Sequence, residues 1–197
     1  MKIINNLDQL EIGRMCSVCK QFRDQIGNGW IRFENFVQSG GTTHTIRCVQ
    51  KKHGVKWGDT KLTKLQELWL FDNNQITDLT PFQVLTNLQN LYLSNNQITD
   101  LTPLQDLTNL QYLSLGYNQI TDLTPLKALT NLQRLDLDDN QITDLTPLQA
   151  LTNLEELYLS GNQITNLTPL QGLTNLQTLE LGYKPNIDRT PLLALTN

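Results

Sequence analysis

The sequence is poor in the residues that most site chemistry requires. Among 197 residues there are two histidines and three cysteines. Three cysteines are odd in number and too few for the disulfide framework of a small secreted domain, which points to a reducing compartment. Charged residues make up 17% of the chain, below the ~25% of ordinary soluble domains. No apolar run approaches the ~18 residues of a membrane span. The opening stretch carries Lys2 with Asp8 and Glu11 close behind, and does not read as a secretory signal. Glycine-rich phosphate loops, nucleophile elbows and paired-carboxylate motifs are missing. Neither His44 nor His53 has a Ser, Cys or carboxylate companion at a motif spacing. Together these absences argue against membrane, collagenous, disordered and disulfide-scaffold classes. They leave no catalytic constellation, so neither enzymatic activity nor a cofactor is expected.

What is present is unevenly distributed. Residues 1–61 hold ten basic and five acidic side chains, whereas residues 62–197 hold five and fourteen. All seven prolines fall in the second part, and all three cysteines in the first. Such a break marks a domain boundary near Asp59–Lys61. It divides the chain into a helical cap over 1–30, a connecting or capping segment over 31–61 and a repeat array over 62–197.

The array is strictly periodic. Asn74, Asn96, Asn118, Asn140 and Asn162 recur at a constant interval, each followed by Gln and Ile. Aligned, the unit reads L-T-N-L-Q-x-L-x-L-x-x-N-Q-I-T-D-L-T-P-L-Q-x. The first copy carries one extra residue between Leu68 and Asn74, read as a bulge. A sixth, from Leu173, is degenerate, with Lys184 in place of the asparagine. In Leu113-Ser114-Leu115 alternate side chains point to opposite faces, burying both leucines and turning Ser114 outward. Stacked coils then pair these short strands into a parallel sheet at a spacing of ~4.8 Å. An asparagine carries one acceptor and two donors, so stacked asparagines can satisfy the turn of their own coil and its neighbour. Thr-Pro opens the return segment, Thr as N-cap and Pro at the first helical position. Too few residues remain for an α-helix, so each return should be a 3₁₀ turn.

The core of this unit matches the L-x-x-L-x-L-x-x-N pattern of a leucine-rich repeat. The array resembles the 22-residue repeats of the internalin-like class. The resemblance implies an α/β solenoid with a short parallel β-sheet on the concave face and 3₁₀ turns on the convex face. Its expected role is non-catalytic protein binding.

In the first part, Leu7-Asp8, Ile12, Met15, Val18-Cys19-Lys20, Phe22, Ile26 and Trp30 resemble the later two thirds of an F-box. Ile12, Met15, Cys19 and Phe22 also fall at the spacing of an amphipathic helix. The resemblance implies contact with a Skp-type adaptor through Leu7, Ile12, Val18 and Phe22. The chain would then be a substrate receptor of a ubiquitin ligase in a eukaryotic cytosol, its own or that of a host cell. The same residues also read as a small helical cap over the first coil, which every solenoid requires. Cys16, Cys19, Cys48 and His53 have the ligand types of a zinc site. Because Cys16 and Cys19 sit within the predicted helix, buried thiols and no metal are expected. Thr42–Val49 alternates like a strand. Lys51, Lys52, His53 and Lys56 form a basic patch read as a solvated loop, so no nucleic-acid partner is expected.

Among near-identical copies, the positions that differ carry the information. They flank the buried strand leucines and project from the concave sheet. The set proposed to contact a partner is Trp69, Tyr92, Tyr112, Tyr117, Arg134, Asp136, Asp138, Asp139, Glu156, Tyr158, Glu180 and Tyr183. It contains all five tyrosines of the chain. Tyr and Trp supply rigid contact area with a polar handle, and the carboxylates favour a partner with basic and apolar residues. A duplicated array with no dedicated ligand is the alternative to such a surface. The last coil, lacking a polar cap, is expected to favour pairing of two copies end to end.

Overall fold

The computed structural model describes residues 45–47, 66–70 and 76–195. Among these, seven three-residue strands form one open parallel sheet in chain order. They are β1 (Thr45–Arg47), β2 (Glu67–Trp69), β3 (Asn90–Tyr92), β4 (Tyr112–Ser114), β5 (Arg134–Asp136), β6 (Glu156–Tyr158) and β7 (Thr178–Glu180). The register places Leu68, Leu91, Leu113, Leu135, Leu157 and Leu179 side by side across β2–β7. One edge is extended by β1, whose Ile46 lies opposite Leu68. β1 lies within Thr42–Val49, the stretch read from sequence as strand-like, so the sheet reaches into the segment read as connecting or capping. Residues 1–30, with the F-box-like motif and its proposed adaptor contacts, lie outside the described residues. So do Cys16, Cys19, Cys48, His53, Asn74 and the expected bulge.

Each of the coils beginning at β2–β5 buries seven apolar side chains. In the coil beginning at β3 these are Leu91, Leu93, Ile98, Leu101, Leu104, Leu107 and Leu110, all at most 1% exposed. The last four are spaced by three because the return path has three residues per turn, which brings i and i+3 onto one face. Backbone bonds of that type run in succession: Leu104 N–H to Leu101 O at 2.8 Å, then Leu107 to Leu104 and Leu110 to Leu107 at 3.0 Å. The assigned 3₁₀ helices are Thr80–Val84, Thr102–Leu104, Thr124–Ala128, Thr146–Ala150, Thr168–Leu170 and Thr190–Leu195. They run five residues where the fifth is Val84, Ala128 or Ala150. They stop at three where it is Asp106 or Gly172.

The start of each 3₁₀ turn differs from the sequence expectation. Thr is not the N-cap but the first helical residue, and no side chain of the N-cap leucine or of Thr closes the end. The aspartate two positions earlier does so: Asp100, Asp122 and Asp144 Oδ1 each accept the N–H of Thr102, Thr124 and Thr146 at 2.8 Å. A carboxylate suits this position because it accepts the free N–H directly and favours the positive end of the turn. Asn166 does the same for Thr168 at 2.9 Å. The caps hold the Asp100 and Asp144 carboxyls below their ordinary range, through the Thr hydroxyl first and the Thr N–H second.

Two asparagine ladders tie the coils together. The four described members of the first, Asn96, Asn118, Asn140 and Asn162, are buried. The amide of Asn118 donates to Leu115 O (2.9 Å), Leu93 O (3.1 Å) and Gly116 O (3.2 Å), while its Oδ1 accepts the N–H of Ile98 (3.0 Å). Asn140 and Asn162 repeat the pattern one and two coils on. In the sixth coil Lys184 Nζ instead donates to Asn162 O at 2.6 Å. The second ladder was not anticipated from sequence. Asn109, Asn131, Asn153 and Asn175 each donate to a threonine carbonyl of the preceding coil at 2.8–2.9 Å. These lie at the surface, where water competes for the same groups. We therefore expect Asn118→Ala to lower stability by about 3 kcal/mol or more, at ~1–3 kcal/mol per buried group left unpaired. That corresponds to a fall of roughly 6 °C or more in Tm. Asn109→Ala should cost less than about 1 kcal/mol, as a net exposed hydrogen bond does. Thermal and urea melts decide, and equal effects would remove the distinction between the ladders.

Candidate protein-binding face

The outward residues of β2–β6 make one connected chain of side chains. Trp69 and Tyr92 stand in adjacent strands with ring centroids 4.9 Å apart and planes at 56°. Tyr92 meets Tyr112 at 4.7 Å and 33°. This second contact is diagonal, because Tyr112 occupies the first strand position and pairs in register with Asn90, not Tyr92. The Arg134 guanidinium follows, 5.6 Å from the centre of the Tyr112 ring. Arg134 forms an ion pair with Glu156, and Glu156 accepts a hydrogen bond from the Tyr158 hydroxyl at 2.7 Å. At the other end the Trp69 indole N–H donates to Glu67. The Glu156 carboxyl is lowered by Arg134 and then by Tyr158. Tyr92 and Tyr112 are raised, mainly by burial, so both hydroxyls stay neutral across the physiological range.

Beside this chain runs a polar one. Ser94 and Ser114 share a hydrogen bond at 2.5 Å, and Ser114 Oγ donates to Asp136 Oδ2 at 2.9 Å. Ser114 is on the outward side as expected, yet it is buried at 6% exposure beneath this network. Asp136 Oδ1 accepts the N–H of Asp138 at 3.1 Å, and Asp138 Oδ1 accepts the N–H of Ser160 at 2.7 Å. Burial raises the Asp138 carboxyl, and the charges of Asp136, Asp139 and Glu180 raise it further against the bond from Ser160. The Tyr117 hydroxyl bonds to Asp139, which is the main reason Tyr117 is raised.

The turn after each strand has a left-handed residue just before the ladder position. Asn95 (φ 60°), Tyr117 (φ 56°), Asp139 (φ 49°) and Gly161 (φ 71°) occupy it in successive coils. In the sixth coil the left-handed residue moves one place earlier, to Gly182 (φ 64°). Asn, Asp and Gly adopt this conformation readily, but for a bulky side chain it costs roughly 1–2 kcal/mol. Tyr117 is nonetheless there and 62% exposed. Neighbouring coils also make room for the acids. A Cβ at Gly116 would stand 2.9 Å from Asp136 Oδ1, and one at Gly161 would stand 2.3 Å from Asp139 Oδ1.

The predicted contact residues are therefore of two kinds. Trp69, Tyr92, Tyr112, Arg134, Asp136, Glu156, Tyr158 and Glu180 lie on strands, at the first or third position. Tyr117, Asp138, Asp139 and Tyr183 lie on the turns that follow, and Tyr183 is 93% exposed. Sequence reasoning missed Ser94, Ser114, Gly116 and Gly161 as residues that hold the acids in place. Their signal was available as small residues flanking the acidic coil, and it needed the coil-to-coil register to be read. Among the described residues, no group of three or more His, Cys, Asp or Glu is arranged to hold a metal ion.

This stacking of near-identical coils defines a leucine-rich repeat protein. The chain belongs to that family: the model described as Leucine Rich repeats (2 copies) matches residues 63–106, 86–128, 108–150 and 152–195. Among solved structures, an internalin (inlF) of Listeria monocytogenes is similar, at 42% identity and a TM-score of 0.65, over 69% of this chain and 40% of its own. An internalin C2 from the same organism is 50% identical with a TM-score of 0.59, over 61% of this chain and 53% of its own. A leucine-rich repeat protein of Leptospira interrogans is 31% identical with a TM-score of 0.54, over 68% and 42%. The chain thus spans about half or less of each of these proteins. No curated protein matches its sequence.

Two variants probe what the face costs the fold. Tyr117→Asn restores the residue type that suits the left-handed site and should raise Tm by about 2 °C or more. Asp138→Asn keeps the acceptor for Ser160 and removes the charge. A raised carboxyl means that the folded state binds the proton more tightly than the unfolded one. Its contribution to stability is therefore favourable at low pH and is lost as pH rises through the folded pKa. The variant should be more stable than the parent at pH 7, with the difference shrinking as pH falls towards about 4. A difference that grows on acidification would contradict this account of Asp138.

Proposed function

We propose that the chain is a non-catalytic protein-interaction module whose partner docks on the outward face of the sheet. The observation that carries this reading is the stacked series Trp69–Tyr92–Tyr112 at positions that vary between otherwise near-identical coils. Aromatic residues of this kind dominate interface energetics, since they bring large area at low entropic cost. Leucine-rich repeat proteins in general mediate protein–protein contact, which supports the same reading.

A duplicated array without a ligand fits less well. Drift among copies gives no reason for Tyr117 to hold a strained backbone, or for Gly116 and Gly161 to stand where neighbouring carboxylates need space. Strain and uncompensated charge gathered on adjacent coils are the usual accompaniment of a functional surface. The F-box-type reading rests on residues 1–30 alone and would place the chain in the cytoplasm. Co-purification with a Skp-type adaptor, weakened by Val18→Glu, tests it independently of the repeats.

The main test is capture of a partner from cell lysate by the full chain, with surface variants as controls. Tyr92→Ala and Tyr112→Ala should each weaken binding of the captured protein by ~1–2 kcal/mol or more. Stacked rings contribute ~0.5–1.5 kcal/mol to the fold as well, so melts must accompany the binding data. Lys127→Glu, in the Thr124–Ala128 turn away from the sheet, should leave affinity unchanged. Loss of binding with Lys127→Glu and not with the tyrosine changes would place the site on the opposite side.

A further inference from the structure

The outward face is divided by charge along the line of coils. Strands β2–β4 carry the stacked rings and one carboxylate, Glu67. Strands β5–β7 and their turns carry Asp136, Asp138, Asp139, Glu156 and Glu180. Among the described residues of β2–β7, Arg134 is the one cation on a strand, and it stands at the border. Its charge is already engaged, because the guanidinium lies over Tyr112 and pairs with Glu156. Lys184 donates to Asn162 O. The hydrogen bonds to the Asp136–Asp138–Asp139 group come from neutral donors: the Ser114 hydroxyl, the backbone N–H groups of Asp138 and Ser160, and the Tyr117 hydroxyl.

We propose that this face receives a segment of a partner protein in one orientation only. An apolar or aromatic side chain of the segment rests on Tyr92 and Tyr112, and a lysine or arginine faces Asp136, Asp138 and Asp139. The proposal rests on the reading of the sheet face as the partner surface, and adds the chemistry and direction of what binds there. Charge complementarity sets the direction. The reverse placement would strand the partner's apolar residue among carboxylates and move its cation from the acidic coils to the side of Arg134, forfeiting that complementarity. A nucleic acid is disfavoured for the same reason, since its phosphates would meet this acidic half. The spacing follows from sheet geometry. Tyr92 and Tyr112 lie one to two strands from Asp138, at ~4.8 Å per strand, and several residues away along the strand direction at ~3.3 Å each. The two anchors of the segment are therefore about 10–15 Å apart, three or four residues of extended chain.

The probe is a phage-displayed library of random dodecapeptides, selected on the full chain and re-tested as synthetic peptides. The selected peptides should pair an aromatic or large aliphatic residue with Lys or Arg three or four positions away. They should bind the Asp136→Asn/Asp138→Asn protein about tenfold more weakly, the size expected for loss of charged contacts. Their affinity for the parent chain should also fall with added salt. Peptides without a basic residue at that spacing, unchanged affinity for the amide variant, or no enrichment above background would each overturn the proposal. The underlying reading fails separately: peptides that bind the Tyr92→Ala/Tyr112→Ala protein as tightly as the parent do not use this face at all. Melting curves on both double variants ensure that a loss of binding is not a loss of fold.

Discussion

The constraint on which this molecule depends is the burial of backbone polar groups at a sharp turn, repeated in every coil. A strand of three residues must bend immediately, and the bend is buried against a leucine core. A side chain that both donates and accepts is needed there. The buried asparagine amides meet that need with short bonds to their own coil and the one before, as Asn96 does to Leu93 O and Leu70 O, both at 2.9 Å. Once the turn is fixed, the rest follows. The strands align, the leucines fall into columns, and the return path is short enough to close only as a 3₁₀ turn with its own aspartate cap.

That economy leaves the outward strand positions outside both the leucine core and the asparagine ladder, and there the coils differ. The aromatic series, the arginine at its end and the aspartate group beside it are held on a scaffold whose inner residues are nearly invariant. The face is not neutral to the fold. A tyrosine occupies a left-handed site, and a partly buried carboxylate is surrounded by others of its own sign. These are local penalties, tolerated because seven well-buried apolar side chains in each of these coils support the backbone beneath them.

Much of this was legible in the sequence, because tandem copies act as an internal comparison. The period, the buried leucines, the parallel strands and the 3₁₀ returns could be read from which letters repeat, and the face from which do not. The rest depended on distances between coils. Thr and Asp both precede Pro in most copies, and only the geometry shows that Asp100, not Thr102, closes the turn. The exposed Asn109 ladder repeats as faithfully as the buried one, but its bond runs to a residue 23 positions back. The Tyr92–Tyr112 stack crosses from one strand position to another, and no column-wise alignment reveals it. The pairing of β1 with β2 was hidden for another reason: Thr45–Arg47 belongs to no repeat, so nothing in its sequence ties it to the sheet.

The buried asparagines have a direction. Each accepts from a backbone N–H twenty residues earlier, as Asn118 does from Ile98 and Asn140 from Ile120. No coil completes its own turn; the next one completes it. During synthesis, which proceeds from the N-terminus, every newly emerged coil waits for roughly one further repeat of chain before its last backbone group is satisfied. A coil at the growing edge of the array therefore keeps one backbone N–H open until its successor stacks on it, so the array gains its polar satisfaction one coil behind its apolar burial.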